Sequence, residues 1–201
     1  FRNYFADPDE WCNCFKVAAD GPPGLWRTVF PADPEGTEET LLGDDATQAR
    51  LHKFFPRSGD YEVVHRNLYR VHQRVAHTFR LGRILLAGDS AHVNNPIGGM
   101  GLNGGIQDAV SLSQKLADVW HGRADQSALD LYDLQRRTIT TDFVQQQTIS
   151  NKKRLEAKEP EQRERNFAQL REQATDPAKA KAFLMGSSML AAQRKAARLA
   201  N

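Results

Sequence analysis

Residues 82–108 read GRILLAGDSAHVNNPIGGMGLNGGIQD, and this stretch decides the fold around it. The apolar run 84–87 lies between glycine-containing turns, a pattern that predicts a short buried strand of an α/β sheet. Residues 94–101 contain a proline and three glycines, so they predict a loop. From Leu102 onward, apolar residues recur every three or four positions and predict a helix. The order is therefore strand, glycine-rich loop and helix.

This order predicts a binding site. Asp89 falls at the carboxyl end of the predicted strand, where open α/β sheets bind their ligands. The glycines allow a flat or anionic ligand to approach the backbone closely, and the N-terminus of a helix attracts negative charge. Together these features favour a polar, partly anionic cofactor.

The same stretch resembles the second FAD fingerprint of the aromatic-ring flavoprotein monooxygenases, the single-component hydroxylases built like para-hydroxybenzoate hydroxylase. The family pattern is G-R-x-x-L-x-G-D-x-A-H, then P-x-G-x-G-x-N and an aspartate five residues on. It departs mildly at Ser90, where the family more often has alanine. A fainter resemblance continues through residues 69–76 and 129–137. The positions that match are Gly82, Arg83, Leu86, Gly88, Asp89, Ala91, His92, Pro96, Gly98 or Gly99, Gly101, Asn103 and Asp108.

The resemblance implies a fold and a set of FAD contacts. The fold is α/β (α+β within these residues), part of a para-hydroxybenzoate hydroxylase-like FAD-binding fold. Asp89 would accept a hydrogen bond from a ribityl hydroxyl, and backbone N–H groups near the glycines would face the flavin pyrimidine edge. The carbonyl of Pro96 would lie beside the ring and the substrate. The implied cofactor-binding residues are Gly88, Asp89, Pro96, Gly98, Gly99, Gly101, Leu102 and Asn103.

Each of these positions also has a structural interpretation. Asp89 could end a strand, the glycines could form a flexible loop, and Asn103 could cap the helix. His92 suggests a base, but an imidazole in a tight turn is more often structural, and Asp108 is expected to hold a loop in place. No catalytic residue is assigned. His72 and Arg74 are predicted to alternate on a strand and face one side; they and Pro96 are candidates for substrate contact, against an ordinary salt bridge or solvent contact.

The activity implied by the resemblance is hydroxylation of a phenol-like aromatic substrate. NADH or NADPH would reduce FAD, O2 would add to form a flavin C4a-hydroperoxide, and one oxygen atom would pass to the ring. The alternatives are a non-hydroxylating flavoprotein of the same fold, either a reductase or a halogenase, and a non-catalytic helical interaction module with a decayed flavin site. The intact fingerprint argues against decay. A homodimer is left open.

Composition excludes several classes of partner. The chain has 27 basic and 25 acidic residues, a net charge of +2 and 40% hydrophobic residues, so no nucleic-acid partner is predicted. No apolar run approaches membrane-spanning length, and a cytoplasmic location is expected. Cys12 and Cys14 lack a second pair at metal-ligand spacing, so no metal is expected and ordinary thiols in a reducing compartment are predicted.

Three segments are predicted along the chain. Residues 1–78 are interpreted as the remainder of a substrate-binding β-sheet domain, with strands at 11–17, 25–30, 61–64 and 67–75 and a short helix at 48–55. Residues 79–124 form the second half of an FAD-binding domain, and residues 125–201 form a helical region. The family's first FAD motif, a G-x-G-x-x-G turn directly after an N-terminal strand, is not found, because the one comparable glycine cluster, at residues 98–101, does not follow a strand directly. The chain is therefore interpreted as the carboxyl-terminal half of a longer enzyme, inactive in isolation.

Overall fold

The computed structural model describes residues 2–199. They form two compact units: residues 2–70 with residues 155–160, and residues 71–154 with residues 161–199. Within the described residues, no helix is both long and apolar enough to cross a membrane.

The first unit is built on a three-stranded antiparallel sheet. Its strands are β1 (Arg2–Phe5), β2 (Cys12–Val17) and β3 (Leu25–Val29), with β2 in the centre. Two helices follow, α1 (Glu38–Leu42) and α2 (Asp44–Phe54). The strands expected near residues 11–17 and 25–30 and the helix near 48–55 are thus confirmed, with boundaries moved by one to four residues.

The strand expected at 61–64 is wrong, and of the strand expected at 67–75 only Arg74–Val75 forms, because residues 56–73 contain no helix or strand. The reason is visible at Tyr61. Its backbone N–H donates to Gln48 Oε1 at 2.8 Å, and its carbonyl accepts from Gln48 Nε2 at 2.8 Å. A side chain of α2 therefore supplies the partners that a neighbouring strand would have supplied.

The second unit begins with short strand pairs. Strand β4 (Arg74–Val75) pairs antiparallel with β7 (His92–Val93), and β5 (Arg80–Leu81) pairs antiparallel with β6 (Ile84–Leu85). The run 84–87 is therefore a strand for only two residues, and Ile84 is 65% exposed instead of buried. Strand β6 pairs only with β5, the strand before it in the same tight hairpin, so no layer covers Ile84 within the described residues.

Helices make up the rest of this unit. Helix α3 (Gly101–Trp120) comes first. After a short connection, α4 (Ser127–Ile139), a π-helical segment (Thr140–Gln145) and α5 (Gln146–Leu155) form one continuous helical run. Three further helices are α6 (Pro160–Thr175), α7 (Pro177–Ser187) and α8 (Leu190–Arg198). Pro160 and Pro177 are the first residues of α6 and α7, where a proline forfeits no helical hydrogen bond, and Asp176 caps α7 by accepting hydrogen bonds from Ala178 N and Lys179 N.

Two apolar clusters support the stretch from β6 to α3. In one, Phe79, Ala91 and Tyr132 are buried together. The other joins five buried residues from the loop before α3 and from the helical region, namely Met100, Ile139, Val144, Met189 and Ala192. Because Ala91 and Met100 belong to these clusters, both ends of the glycine-rich loop are fixed by packing.

Candidate functional site

Asp89 lies in a single 3₁₀ turn, Gly88–Ser90, that follows β6. Gly88 has φ +61°, a conformation that favours glycine. The turn lies close against α3, since a Cβ on Gly105 would be 3.3 Å from Gly88 Cα. Asp89 itself is exposed, and within residues 2–199 its carboxylate has no hydrogen-bond or ion-pair partner. Its carboxylate is therefore available to an external donor.

The glycine-rich loop, residues 94–100, is held at its ends and open at its tip. Ile97 and Met100 are buried, and Ile97 N donates to Asn95 Oδ1 at 3.0 Å. Gly98 and Gly99 have φ of +112° and +66°, so both positions require glycine. Pro96 is exposed, and its carbonyl accepts from Gly99 N at 3.0 Å. The second lone pair of that carbonyl remains for a ligand.

The N-terminus of α3 is uncapped. Its first helical hydrogen bond joins Gly104 N to Met100 O at 2.9 Å, so the N–H groups of residues 101–103 have no acceptor within the helix. No side chain caps this end, and no acidic residue lies in the first turn. Leu102 is 77% exposed. The positive end of a 20-residue helix is therefore free to meet negative charge.

One detail of this helix end corrects a sequence-based prediction. Asn103 lies inside the first turn and is not a cap; its Nδ2 donates weakly to Gly99 O at 3.5 Å. Gly101 does not have a positive φ. Glycine fits there for a steric reason, because a Cβ would lie 3.0 Å from Asn94 Oδ1.

Asp108 joins the 3₁₀ turn, β7 and α4 through one buried carboxylate. Its Oδ2 accepts from Gly88 N at 3.0 Å and from His92 Nε2 at 2.7 Å, and its Oδ1 accepts from Arg136 Nε at 2.6 Å. The side chains of Asp108, His92 and Arg136 are 0%, 1% and 4% exposed. The expectation that Asp108 holds a loop in place agrees with this geometry.

The environment keeps that carboxylate ionised. Burial works to raise the pKa of Asp108, but hydrogen bonds from His92 and Arg136, the charge of Arg136 and the N–H of Gly88 outweigh it and lower the pKa. The ring of His92 stacks on Phe79 with centroids 5.9 Å apart, and its buried Nδ1 has no hydrogen-bond partner in the described residues. His92 is thus enclosed in packing, which favours the structural interpretation over a role as a base.

The remaining candidate residues are less closely tied to this site. His72 precedes β4 and is not on a strand, whereas Arg74 is in β4, so the predicted alternation of the two on one strand is wrong. Both are exposed. Arg136 was not among the site residues predicted from the sequence. It belongs to a set of residues in α4 that recur at helical spacing and are all buried, namely Leu129, Tyr132, Arg136 and Ile139. That spacing was the available signal.

The two cysteines are unpaired. Cys12 is buried and Cys14 is half-buried. Burial, with a smaller contribution from the neighbouring Cys14, raises the pKa of Cys12 to about 12. Across residues 2–199, no group of three or more histidine, cysteine, aspartate or glutamate side chains could hold a metal ion.

An exposed acid after a strand, a loop with two glycines at positive φ and an uncapped helix end define a cofactor-binding segment. Comparison with known proteins identifies the family. Residues 15–147 match the model described as FAD binding domain, and the chain belongs to that family.

Named relatives are monooxygenases. The chain is 35% identical over 199 residues to para-nitrophenol 4-monooxygenase of Pseudomonas sp. (strain WBC-3), covering 96% of this chain and 47% of the relative. It is 37% identical over 136 residues to 6-hydroxy-3-succinoylpyridine 3-monooxygenase HspB of Pseudomonas putida, covering 68% of this chain and 34% of the relative. The chain thus spans about half or less of these relatives' lengths.

The fold agrees with a solved structure. The crystal structure of p-nitrophenol 4-monooxygenase PnpA from Pseudomonas putida DLL-E4 matches with a TM-score of 0.81 at 32% identity, covering 92% of this chain and 46% of that one. The predicted fold class, a mixed α/β part of a para-hydroxybenzoate hydroxylase-like flavoprotein, is confirmed.

Proposed function

We propose that this chain supplies the flavin-facing part of an FAD-dependent, NADH- or NADPH-consuming monooxygenase that hydroxylates a phenol-like aromatic substrate. The observation that carries the proposal is the uncapped N-terminus of α3, which directly follows the glycine loop. Both lie within the residues that match the FAD binding domain family. The names of the relatives, monooxygenases of nitrophenol and of a hydroxypyridine, support the substrate class.

The residues of this site fit FAD. The free carboxylate of Asp89 would accept a hydrogen bond from a ribityl hydroxyl. Gly88, Gly98, Gly99 and Gly101 would keep the backbone open to the ring system, and the Pro96 carbonyl would lie at its edge. FAD, when bound, would take electrons from NADH or NADPH and activate O2 so that one oxygen atom reaches the aromatic ring.

The first turn of α3 has a specific task in this proposal. A helix N-terminus carries about half a positive charge. The N–H groups of Leu102 and Asn103 would therefore stabilise negative charge on the pyrimidine edge of the reduced flavin. No side chain has to ionise for this effect, so the stabilisation would persist across a wide range of pH.

Further elements of the proposal concern the rest of the protein. The other FAD contacts, including those of the G-x-G-x-x-G turn, would come from sequence outside this chain, corresponding to the other half of the relatives. The division into residues 1–78, 79–124 and 125–201 belongs to the same proposal. His72, Arg74 and Pro96 are the substrate-contact candidates. A homodimer and a cytoplasmic location, which the use of NADH or NADPH favours, belong to the same proposal.

The test combines binding with product analysis in the full-length holoprotein. We expect FAD to bind stoichiometrically, a phenol to stimulate oxidation of NADH or NADPH, and one atom of ¹⁸O₂ to enter the product. Bound flavin without oxygen incorporation would favour a reductase or halogenase. A colourless protein that gains nothing from added FAD would favour a non-catalytic module and would overturn the proposal.

Asp89→Ala tests the ribityl contact. Loss of a hydrogen bond to a charged group costs about 1.5–3 kcal/mol, so the Kd for FAD should rise about 10- to 100-fold. Asp118→Ala, an exposed change at the far end of α3, is the matched control and should leave the Kd unchanged. An Asp89→Ala protein that keeps its flavin through gel filtration as well as wild type would show that the assignment is wrong.

A further inference from the structure

The helical run formed by α4, the π segment and α5 lies along residues 86–104, which are called the cofactor segment below. Four side chains of the run donate hydrogen bonds to the backbone carbonyls of this segment. These bonds hold the main chain of the segment directly. The four bonds are Tyr132 Oη to Leu86 O at 2.7 Å, Arg136 Nη2 to Gly104 O at 3.4 Å, Gln145 Nε2 to Val93 O at 3.3 Å and Asn151 Nδ2 to Ile97 O at 3.5 Å.

Two of these donors, Gln145 and Asn151, contact the first half of the glycine loop and the residue before it. Val93 immediately precedes the loop, and Ile97 lies within it just before Gly98. Asn151 lies so close that a Cβ on Gly98 would be 2.9 Å from its Nδ2. The two amides therefore hold the main chain at the start of the loop and just before Gly98.

The π segment explains how the amide of Gln145 comes to face the loop. Each residue of an α-helix advances about 100°, so Gln145, nine residues after Arg136, would point about 180° away from it in an unbroken α-helix. A π turn accommodates one extra residue. With that residue absorbed at Thr140–Gln145, the angle from Arg136 to Gln145 falls to about 80°, whereas the angle to Asn151 changes only from about 60° to about 40°. All three side chains then reach the cofactor segment.

Burial along the segment agrees with this rotation. Thr140, Val144 and Thr148 follow one another at four-residue steps and are at most 1% exposed. Val144 packs in the same cluster as Met100, the last residue before α3. The carbonyl of Gln145 accepts from Gln73 Nε2 at 3.2 Å and from Thr148 Oγ1 at 3.0 Å. The π segment thus packs against Met100 at the end of the loop, and the Gln145 carbonyl accepts hydrogen bonds from two side chains.

We infer that Gln145 and Asn151 are positioning residues of the flavin site, and that the π segment turns Gln145 toward the glycine loop. The inference rests on the proposed function. The hydrogen bonds from these two amides to the carbonyls of Val93 and Ile97 fix the position of the loop, and with it the position of the first turn of α3. They would therefore determine where the flavin edge meets that turn. Neither amide needs to touch the cofactor.

The test uses the flavin-loaded, full-length holoprotein. Gln145→Met and Asn151→Leu remove each amide at similar volume. Gln146→Met and Ser150→Ala, at adjacent exposed positions, are the matched controls. The measurements are the Kd for FAD, the visible absorption spectrum and midpoint potential of the bound flavin, and the unfolding temperature. We expect each test variant to weaken FAD binding about 2- to 10-fold, the double variant to weaken it further, and the flavin spectrum and potential to shift.

The outcomes separate the inference from the proposed function. A wild-type protein that binds no FAD overturns both. A wild-type protein that binds FAD, with a double variant that keeps the wild-type Kd, spectrum and potential, overturns the inference alone, even if the unfolding temperature falls. Should one single variant fail to fold, the other carries the test, since the two amides hold different carbonyls.

Discussion

Replacing the buried carboxylate of Asp108 by an amide should lower the free energy of unfolding by about 3–5 kcal/mol, the range found when one partner of a buried ion pair is removed. Arg136 would lose a counter-ion 2.6 Å from its Nε, although its side chain is only 4% exposed. Water cannot replace the lost charge at that depth. Asp108→Asn keeps the shape of the side chain, so the effect reports charge and hydrogen bonding and not a cavity.

Counting donors gives a similar magnitude. The carboxylate accepts three hydrogen bonds, from Gly88, His92 and Arg136, through both oxygens. An asparagine has one acceptor oxygen, and its NH₂ group would face a donor in either orientation. At least one buried donor is then unsatisfied, at a cost of about 1–3 kcal/mol, in addition to the uncompensated charge. For a chain of this size, the expected loss lowers the unfolding temperature by about 6–20 °C.

The assay is urea denaturation followed by circular dichroism, with thermal melts in parallel. Asp118→Asn on the same helix is the control. Asp118 pairs with Arg123, but the two side chains are 45% and 58% exposed, so the change should stay below about 1 kcal/mol. The Arg136→Met variant completes a double-mutant cycle, in which the coupling should exceed about 0.5 kcal/mol. If Asp108→Asn loses no more stability than the control, the buried network does not stabilise the fold.

Three further predictions follow from the same structure. Because the folded pKa of Asp108 is lowered, its contribution should be complete above the unfolded value of about 3.9 and fade as the pH falls through the folded pKa; urea titrations should show the gap between wild type and Asp108→Asn closing in acid. With a pKa of about 12, Cys12 is only about one part in 10⁴ thiolate at pH 8, so iodoacetamide should label it in urea but hardly at all in the native protein; rapid native labelling would contradict its burial. Gly101→Val should push the backbone away from Asn94 and weaken FAD binding or lower the flavin potential, whereas Gln114→Ala should change neither; a redox titration that finds wild-type values in Gly101→Val would remove this loop from the flavin site.

Local signals were sufficient for much of this protein. Pro177 after Asp176 predicts a helix start because a first-turn proline forfeits no hydrogen bond and an aspartate satisfies the free N–H groups. The glycines before Leu102 predict a loop that ends at a helix, and the structure begins α3 at Gly101. The fingerprint identified the cofactor family because its positions lie within one continuous stretch.

Contacts between distant residues were decided only by the tertiary structure. Gln48 takes both backbone groups of Tyr61, which removes a predicted strand. Asp108 meets Arg136 across 28 positions of sequence, and the amide of Gln145 reaches the Val93 carbonyl across 52. Propensity and periodicity describe how a segment folds against its near neighbours. A buried charge pair or a π turn depends on which segments pack together, and that packing exists only once the chain has folded.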